Sequence, residues 1–509
     1  MKNQSKQKLT VAIALTITHN VMFWNNNLGI NALLFSGIVI GILAWLNALS
    51  FKQKNVLVAL AGTIISGILV VLYGSTSAKF AHISSLIILV GFVHANELKN
   101  ILYALVAVFE SFIKIPTSFK NETLNEENVQ NNNANIGRKI RLSIIPILFL
   151  ILFYWIYKLA NSEFDRLSSN FWNTVGDNLA YIFQDFSFGR FMFAMLGFVI
   201  SMTIVFKAKV YSILGFESTQ QNQLIRNKPK VDKSKREINT FFNSISLKSE
   251  NQSAILMVGL INALLLIVNC IDINWIWFNF DVKSVQNLSQ FVHEGTYLLI
   301  ASILLSMGII EYFFRKNLNF YIKSKILKTL CFVWISQNIV MVISVALRNY
   351  HYIAQHGLAY KRIGVIFFLL LTIVGLISQI NKIKTTKSGY YMLRINSWAT
   401  YFTMILIACF NWDIIIANHN LNHSKKENID YVFLLELSPK TLPILLKNKD
   451  AIGKDLGTIR NHPYNIFDGQ AILQQNTINF IKDYESRSWL SWNYADYVAY
   501  QELKRDIRK

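Results

Sequence analysis

The sequence predicts an all-α fold, a polytopic transmembrane helical bundle of about eleven or twelve spans that ends in a small helical C-terminal tail. Of its 509 residues, 53% are hydrophobic and 13% aromatic, and the mean hydropathy is +0.34. A soluble protein this apolar could not cover its surface with polar groups. Apolar runs of about 20 residues, the length that crosses about 30 Å of hydrocarbon, recur along the chain.

Eleven of these runs are predicted spans, and a twelfth is ambiguous. Lys2 and Lys8 flank the start of the first run, which we interpret as an uncleaved first helix because no small-residue cleavage site follows it. The twelfth, "NILYALVAVFESFIKIP" (100–116), contains Glu110 and Lys114, so a helix at the membrane surface fits as well as a span. The eleven runs are 9–24, 28–49, 55–73, 80–95, 142–160, 188–206, 253–271, 296–314, 327–347, 363–381 and 397–416.

Composition divides the chain into four regions. Residues 1–116 form an N-terminal membrane block with about four spans and a surface helix, and 117–140 form an Asn-rich linker without apolar periodicity, which predicts disorder. Residues 141–416 are the main membrane block, with about seven spans and a basic cytoplasmic loop at 207–252. The remaining region, 417–509, is a polar tail whose apolar positions recur with helical spacing.

The charges between the spans predict an orientation. The 207–252 connection carries nine Lys or Arg against four acids, and 315–328 carries five cations and no acid. Residues 161–187 are the reverse, with Arg166 against four acids. Because positive residues near span ends favour the cytoplasm, we expect the N-terminus inside and the C-terminal tail outside. The net charge of +21 therefore indicates topology rather than a nucleic-acid partner.

Polar residues gather at the predicted outer ends of the spans. The stretch "RNYHYIAQHGLAYKR" (348–362) places three cations on the outer side, against the charge rule. Asp413 adjoins an apolar run, where an ionised carboxylate needs a partner, and Arg348, Lys361 or Arg362 could supply it. The predicted outer-face polar cluster consists of Asp185, Arg190, Asp272, His293, Glu294, Arg348, His356, Arg362, Asp413 and His419.

This cluster carries no recognisable catalytic or cofactor pattern. Imidazoles and carboxylates can bind a metal or relay protons, and His419 and His423 have the i,i+4 spacing of one helix face. However, no H-E-x-x-H, Walker, dinucleotide-binding or G-x-S-x-G pattern is present. We therefore favour an interfacial belt of His and Tyr, which includes Tyr350, Tyr352 and Tyr360, over a metal site. We predict no metal and no cofactor, and name no catalytic residue.

Several stretches, in this order, resemble a known family. They include "DFSFGRFMFAMLG" (185–197), "RNYHYIAQHGLAYKRIGV" (348–365), "WDIIIANHNLN" (412–422), "DYVFLLELSPKTLPILL" (430–446) and "SWLSWNYADYVAYQEL" (488–503). The chain resembles a family of bacterial multi-pass membrane proteins known only as a domain of unknown function (the 4153/4173 group), from about residue 146 to the C-terminus. The resemblance implies a bacterial inner-membrane location and supplies no activity.

Three functions remain open at this point. We favour a transport or sensing protein whose outer polar cluster receives a small ligand, an ion or an envelope partner. A membrane-embedded enzyme acting on a lipid or envelope substrate is an alternative, which the lack of a nucleophile or nucleotide motif disfavours. The third is a structural or assembly protein that binds a partner through the tail, with Trp489 and Trp492 as anchors. The lipid bilayer is a partner in all three.

Overall fold

The described part of the chain is helical. The computed structural model describes residues 2–123, 146, 149–182, 187–206, 211–226, 247–279, 288–314, 317–423, 429–449, 452 and 469–507. Within these residues there is no β-strand, and the single isolated bridge joins Gln223 to Lys387. The all-α fold class is therefore confirmed for the described residues.

Each predicted apolar run lies largely within one or two helices in its described part, and further helices lie between the runs and in the tail. A π-helical turn, Ile273–Phe278, extends one of them, and short 3-10 turns join others. The helices are α1 (Lys2–Phe23), α2 (Ile30–Leu46), α3 (Lys54–Tyr73), α4 (Thr76–His94), α5 (Ile101–Thr123), α6 (Phe149–Ala160), α7 (Ser162–Ile182), α8 (Phe188–Val205), α9 (Tyr211–Thr219), α10 (Leu247–Asp272), α11 (Leu288–Phe313), α12 (Lys325–His356), α13 (Tyr360–Thr385), α14 (Gly389–Ala408), α15 (Trp412–His423), α16 (Tyr431–Leu435), α17 (Leu442–Lys447), α18 (Gly469–Ser486) and α19 (Tyr494–Ile507).

Fewer helices than predicted are long and apolar enough to cross a membrane. Six meet both conditions among the described residues, or seven if the bent pair α14 and α15 is one span. The described residues therefore contain fewer candidate spans than the eleven that the sequence predicts. The six are Lys54–Tyr73, Thr76–His94, Phe188–Val205, Leu247–Phe278, Ile322–His356 and Tyr360–Thr385.

For α1 and α2 the shortfall has a physical cause. The first turns of α1 are polar and contain Lys6 and Lys8, whereas α2 has only 17 residues. The apolar stretches of α6 and α11 whose side chains the structure describes are 149–160 and 297–313. A helix rises about 1.5 Å per residue, so 17 residues reach only about 26 Å.

The predicted span 397–416 is broken. α14 ends at Ala408, α15 begins at Trp412, and the two axes differ in direction by 62°. The indole of Trp412 donates to the carbonyl oxygen of Ile407 at 2.8 Å, which satisfies one acceptor that the end of α14 leaves free. The break places the first turn of α15 beside the start of α13, where the site described below lies.

The chain forms two compact units. Unit 1 comprises Met1–Asn25, Ile38–Leu46 and Val108–Val210. Its core joins α1 to α8, where the His19 ring stacks on Phe193 with centroids 4.8 Å apart. Gly197 allows this approach, because a Cβ there would lie 2.5 Å from the His19 ring.

Unit 2 comprises Asn26–Gly37, Asn47–Ala107 and Tyr211–Lys509. Its membrane helices pack mainly in sequential pairs, α3 with α4, α12 with α13 and α13 with α14, and α10 packs against α12. A large apolar core around Trp334 and Leu376 lies between α10, α11, α12 and α13. The cavity described below is lined wholly by residues of this unit.

The tail folds onto the same unit through one apolar core. Leu434, Leu445 and Leu503 of the tail pack with Ile363 of α13 and Ala417 of α15, and all five are buried. The predicted small helical tail is therefore present in its described part, as α16 to α19, and it is joined to membrane helices rather than separate from them.

The predicted domain boundaries stay a prediction. Residues 124–145, most of the predicted linker, lie outside the described residues, as do 227–246 of the predicted basic loop. α9 lies within that loop. The ambiguous run at 100–116 is part of α5, which is not among the six membrane-crossing candidates.

Candidate functional site

Polar groups converge on a cavity where helix ends of unit 2 meet the tail. The cavity has a volume of about 650 Å³, a size typical of small-molecule sites. One wall is apolar, and the other carries hydroxyl groups, two ammonium groups and one carboxylate. The lining residues are Gly74, Ser75, Thr76, Ser77 and Lys79 at the start of α4, Tyr360, Ile363, Gly364 and Phe367 of α13, Ile407, Trp412 and Asp413 of α14 and α15, and Ser438 and Lys440 of the tail.

The N-terminus of α4 opens into this cavity. Gly74 adopts a left-handed conformation with φ +55°, which ends α3 and turns the chain towards α4. Ser75 caps α4, its hydroxyl accepting from the backbone N–H of Ala78 at 3.3 Å. Within the described residues, no group accepts from the backbone N–H of Thr76 or Ser77. The positive end of the α4 dipole therefore faces the cavity.

Lys440 contributes a buried ammonium group to the cavity wall. It lies on the 3-10 turn Pro439–Thr441, and only 6% of the residue is exposed. Among the side chains that the structure describes, none forms a hydrogen bond or ion pair with it. Burial lowers the pKa of Lys440, as do the charges of Lys79 and Arg487, against the opposing effect of the Asp496 and Asp413 carboxylates. A buried ammonium group without a hydrogen-bonding partner is costly.

Asp413 has a partner that the sequence did not suggest. It lies in the first turn of α15, is 8% exposed, and accepts a short hydrogen bond from the hydroxyl group of Tyr360. The expected partners were Arg348, Lys361 and Arg362, and no ion pair joins Asp413 to any of the three. Tyr360, predicted to belong to an interfacial belt, is thus part of the cavity wall.

Arg348 and Asp272 are in contact as predicted cluster members, but their contact joins two helices and does not form part of the cavity. Their side chains form an ion pair at 2.5 Å between α12 and α10, and both residues are buried. Nearby, the Trp277 indole donates to the Ser344 hydroxyl at 3.0 Å. Neither Arg348 nor Asp272 lines the cavity. The geometry indicates a structural pair that fixes α10 on α12.

Arg362 fastens the turn between α12 and α13. Its guanidinium donates to the carbonyl oxygen of His356 at 2.8 Å and to that of Gly357, and it stacks over the Tyr352 ring at 4.1 Å. Asn420 of α15 clamps the same turn through both backbone groups of Leu358. The stretch 348–362 therefore comprises the end of α12 and the turn to α13 beside the cavity, and two of its three cations, Arg348 and Arg362, have specific partners.

None of the other predicted site residues whose side chains the structure describes lines the cavity. Arg190 belongs to unit 1, where it donates to Asn20 at 3.4 Å. His419 is half-buried on α15 and does not line the cavity. Asp185 and the side chains of His293 and Glu294 lie outside the described residues. In the described ranges, no three His, Cys, Asp or Glu residues are grouped so that they could hold a metal ion.

A second polar cluster lies along α4, around the buried His82. The Nε2 atom of His82 is 2.7 Å from the Ser36 hydroxyl of α2, and Nδ1 is 3.3 Å from the Ser66 hydroxyl of α3. Gly67 leaves room for the ring, since a Cβ there would lie 3.1 Å from it. These hydrogen bonds link α2, α3 and α4 about one helical turn after Lys79 along α4.

Sequence reasoning missed Lys79, Lys440 and His82. A histidine inside an apolar run is itself a signal, because intramembrane ionisable residues are rare and need partners. For Lys79, the signal is the sequence "GSTSAK" (74–79), which predicts the start of a helix and places the lysine in its first turn. Lys440 gave no signal, because its burial depends on how the tail docks.

Comparison with known proteins identifies a family without an assigned activity. A family model described as "Domain of unknown function (DUF4153)" matches residues 32–448, and the chain belongs to this family. The match begins well before residue 146 and ends within the tail, so it covers more of the N-terminal block and less of the tail than the motifs suggested. No curated protein and no solved structure matches the chain.

Proposed function

We propose that this member of the family is a multi-pass protein of the bacterial inner membrane that binds a small polar ligand in the cavity of Lys440 and Asp413, as part of transport or sensing. The observation that carries the proposal is the near-complete burial of Lys440 without a hydrogen-bonding partner among the described residues. A fold retains such a group where a ligand completes its interactions.

The proposed orientation puts the cavity at the outer face. It follows from the excess of Lys and Arg in the connections at 315–328 and 382–394, which favours the cytoplasm. The cavity residue Tyr360 begins α13 and Thr385 ends it, about 39 Å away along a 26-residue helix. The two ends of α13 would then lie on opposite sides of the bilayer.

The specific contacts around the cavity support a binding site rather than an unstructured surface cleft. Arg362 and Asn420 fix the α12–α13 turn, and Gly74 packs so closely on Asn493 of the tail that a Cβ would lie 2.8 Å away. Tyr360 holds Asp413 in the wall. Sites that bind selectively depend on such supporting contacts, because the binding groups are then already in place.

Cysteine labelling tests both the orientation and the access to the cavity. In a background with Cys270, Cys331 and Cys409 replaced, Thr76→Cys would be compared with Thr385→Cys, since both threonines are exposed. We expect a membrane-impermeant maleimide to label Thr76→Cys in intact cells and Thr385→Cys only after permeabilisation. Labelling of Thr76→Cys from the cytoplasm alone, or from neither side, would refute the proposal.

The second candidate function is the binding of a partner protein through the tail, and Trp489 is the residue that supports it. Trp489 is 68% exposed, which suits an interface anchor. Trp492 is engaged within unit 2, where its carbonyl oxygen accepts from the N–H of Ile30 at 2.9 Å. Deleting the tail would also remove Lys440, so the sharper test is Trp489→Ala with Tyr494→Ala as the matched exposed control. Co-purification that survives Trp489→Ala would exclude this candidate.

A further inference from the structure

We infer that the ligand of this cavity carries an oxyanion, a carboxylate or phosphate group, bound by the N-terminus of α4 together with Lys79 and Lys440. The inference rests on the proposed function of the cavity and specifies the chemistry of its ligand. Three features of unit 2 carry it, and each concerns a different part of the cavity wall.

The first feature is the set of donors that α4 presents. The backbone N–H groups of Thr76 and Ser77 have no acceptor among the described residues. The hydroxyl groups of Ser75 and Ser77, 3.1 Å apart, stand beside them. Backbone donors and the positive dipole end of a 19-residue helix form a site for an anion.

The second feature is the buried charge opposite that helix end. Lys440 is 94% buried, lines the cavity, and has no hydrogen bond or ion pair within the described part of the chain. Lys79 lines the same cavity and likewise forms no described ion pair. One carboxylate lines the cavity, Asp413, which already accepts from Tyr360. The Asp496 carboxylate also acts on both lysines, but it pairs with Arg487 outside the lining. The cavity lining therefore has a net charge of about +1.

The chain itself shows how an anion is held at such a position. Just before α5, both oxygens of the buried Glu217 carboxylate accept from backbone N–H groups, Lys99 at 3.0 Å and Asn100 at 3.1 Å. The Tyr390 hydroxyl donates to the same carboxylate at 2.5 Å. At α4 the helix end has lysines around it and no carboxylate of the described chain bound to it. A carboxylate or phosphate from outside the chain would fill the equivalent role.

The third feature is the apolar wall, which indicates what is attached to the anion. Ile363, Phe367, Ile407 and Trp412 line this side, and the Phe367 and Trp412 rings meet edge to face with centroids 5.7 Å apart. The cavity of about 650 Å³ exceeds the volume of a bare phosphate ion several-fold. The shared chemistry is thus an acidic group on an apolar body, whether a free organic anion or the headgroup of an anionic lipid.

The test uses the purified full chain in nanodiscs and two probes that separate these sources. In phosphatidylcholine nanodiscs, inorganic phosphate is titrated while the unfolding midpoint and the retention of radiolabelled phosphate are measured. In a second arm, phosphatidylglycerol replaces part of the phosphatidylcholine and phosphate is absent. Lys440→Met is compared with Lys447→Met, because Lys447 is exposed in the same tail and pairs with Glu502.

We expect one arm to raise the unfolding midpoint of the parent protein and of Lys447→Met equally. Lys440→Met should weaken the apparent affinity for the effective probe at least tenfold, and Lys440→Arg should restore most of it. A response to phosphate would identify a free anion, and a response to phosphatidylglycerol alone would identify a lipid headgroup. Lys79→Met provides a second test through a half-buried lysine, should Lys440→Met fold poorly.

Two results would overturn the inference. One is the absence of any response in both arms, and the other is an equal response in Lys440→Met, Lys79→Met and Lys447→Met. Either result would leave the proposed function intact if Thr76→Cys is still labelled from outside. Conversely, labelling of Thr76→Cys from the cytoplasm would refute the proposed orientation without removing a Lys440-dependent anion effect.

Discussion

The N-termini of α4 and α5 show two ways in which the same chain treats a helix end. At α5, Glu217 supplies a carboxylate that accepts from two backbone N–H groups and from Tyr390, so donors and acceptors match. At α4, the donors and the Lys440 ammonium face a cavity instead. Polar groups that satisfy each other stabilise a fold, whereas groups left for a ligand cost stability. Substitutions should therefore separate the two sites.

The largest effect should come from the buried pair of Arg348 and Asp272, which resembles the Glu217 site in that a buried carboxylate is bound by groups of the chain itself. Arg348→Ala leaves the Asp272 carboxylate buried without its ion pair, so we expect a loss of about 3–5 kcal/mol in the free energy of unfolding. Denaturant titration of the purified protein in micelles would measure it.

Arg190→Ala is the matched control, because Arg190 is exposed and its hydrogen bond to Asn20 is long. Its effect should stay within about 0.5 kcal/mol. The double variant Arg348→Met with Asp272→Leu should recover most of the lost stability, since no buried charge remains. A loss for Arg348→Ala no greater than for Arg190→Ala would contradict the structural role.

Glu217→Gln should have the next largest effect. The amide has one acceptor oxygen instead of two, and its NH₂ group would face a backbone N–H, so we expect a loss of about 2 kcal/mol. Thermal unfolding in micelles would measure it, with Glu97→Gln as an exposed control in the loop that Glu217 binds, just before α5. An unchanged unfolding midpoint would show that this helix end does not need its carboxylate, and would weaken the comparison with α4.

A smaller effect is expected where the tail closes the cavity. Gly74→Ala introduces a side chain at φ +55° and puts its Cβ 2.8 Å from Asn493, so we expect a loss of about 1–2 kcal/mol. The tail should also become more sensitive to limited proteolysis. Gly259→Ala, at an open helical position of α10, should be neutral or slightly stabilising. Equal behaviour of the two variants would mean that the Gly74–Asn493 contact does not hold the tail.

The sequence predicts the positions of the helices better than the number of helices that are long and apolar enough to span a membrane. Apolar runs predict helices directly, because burial of one stripe or of the whole surface sets their pattern. Whether a run spans also depends on where the helix bends, and the 62° break between α14 and α15 falls inside one run. Hydropathy alone does not reveal such a break.

The site was only partly predictable for a related reason. Charge patterning singled out Asp413 and the turn at 348–362, because both depend on local sequence. The partners depend on tertiary structure: Tyr360 reaches Asp413 across 53 residues, and Lys440 enters the cavity only because the tail packs on α13 and α15. A single sequence gives no measure of such distant pairings.

The smallest effect on stability, and the most informative one, should come from Lys440→Met. Removing a buried ammonium group without a hydrogen-bonding partner should leave the free energy of unfolding unchanged or raise it by about 1 kcal/mol, in the absence of any anion. When phosphate or phosphatidylglycerol is added, the parent protein should become more stable to unfolding than the variant, because only the parent gains binding energy. Unfolding curves with and without each probe would reveal this reversal of order. A loss of about 2 kcal/mol or more without an anion would instead make Lys440 a structural residue like Glu217, and the contrast between the two helix ends would disappear.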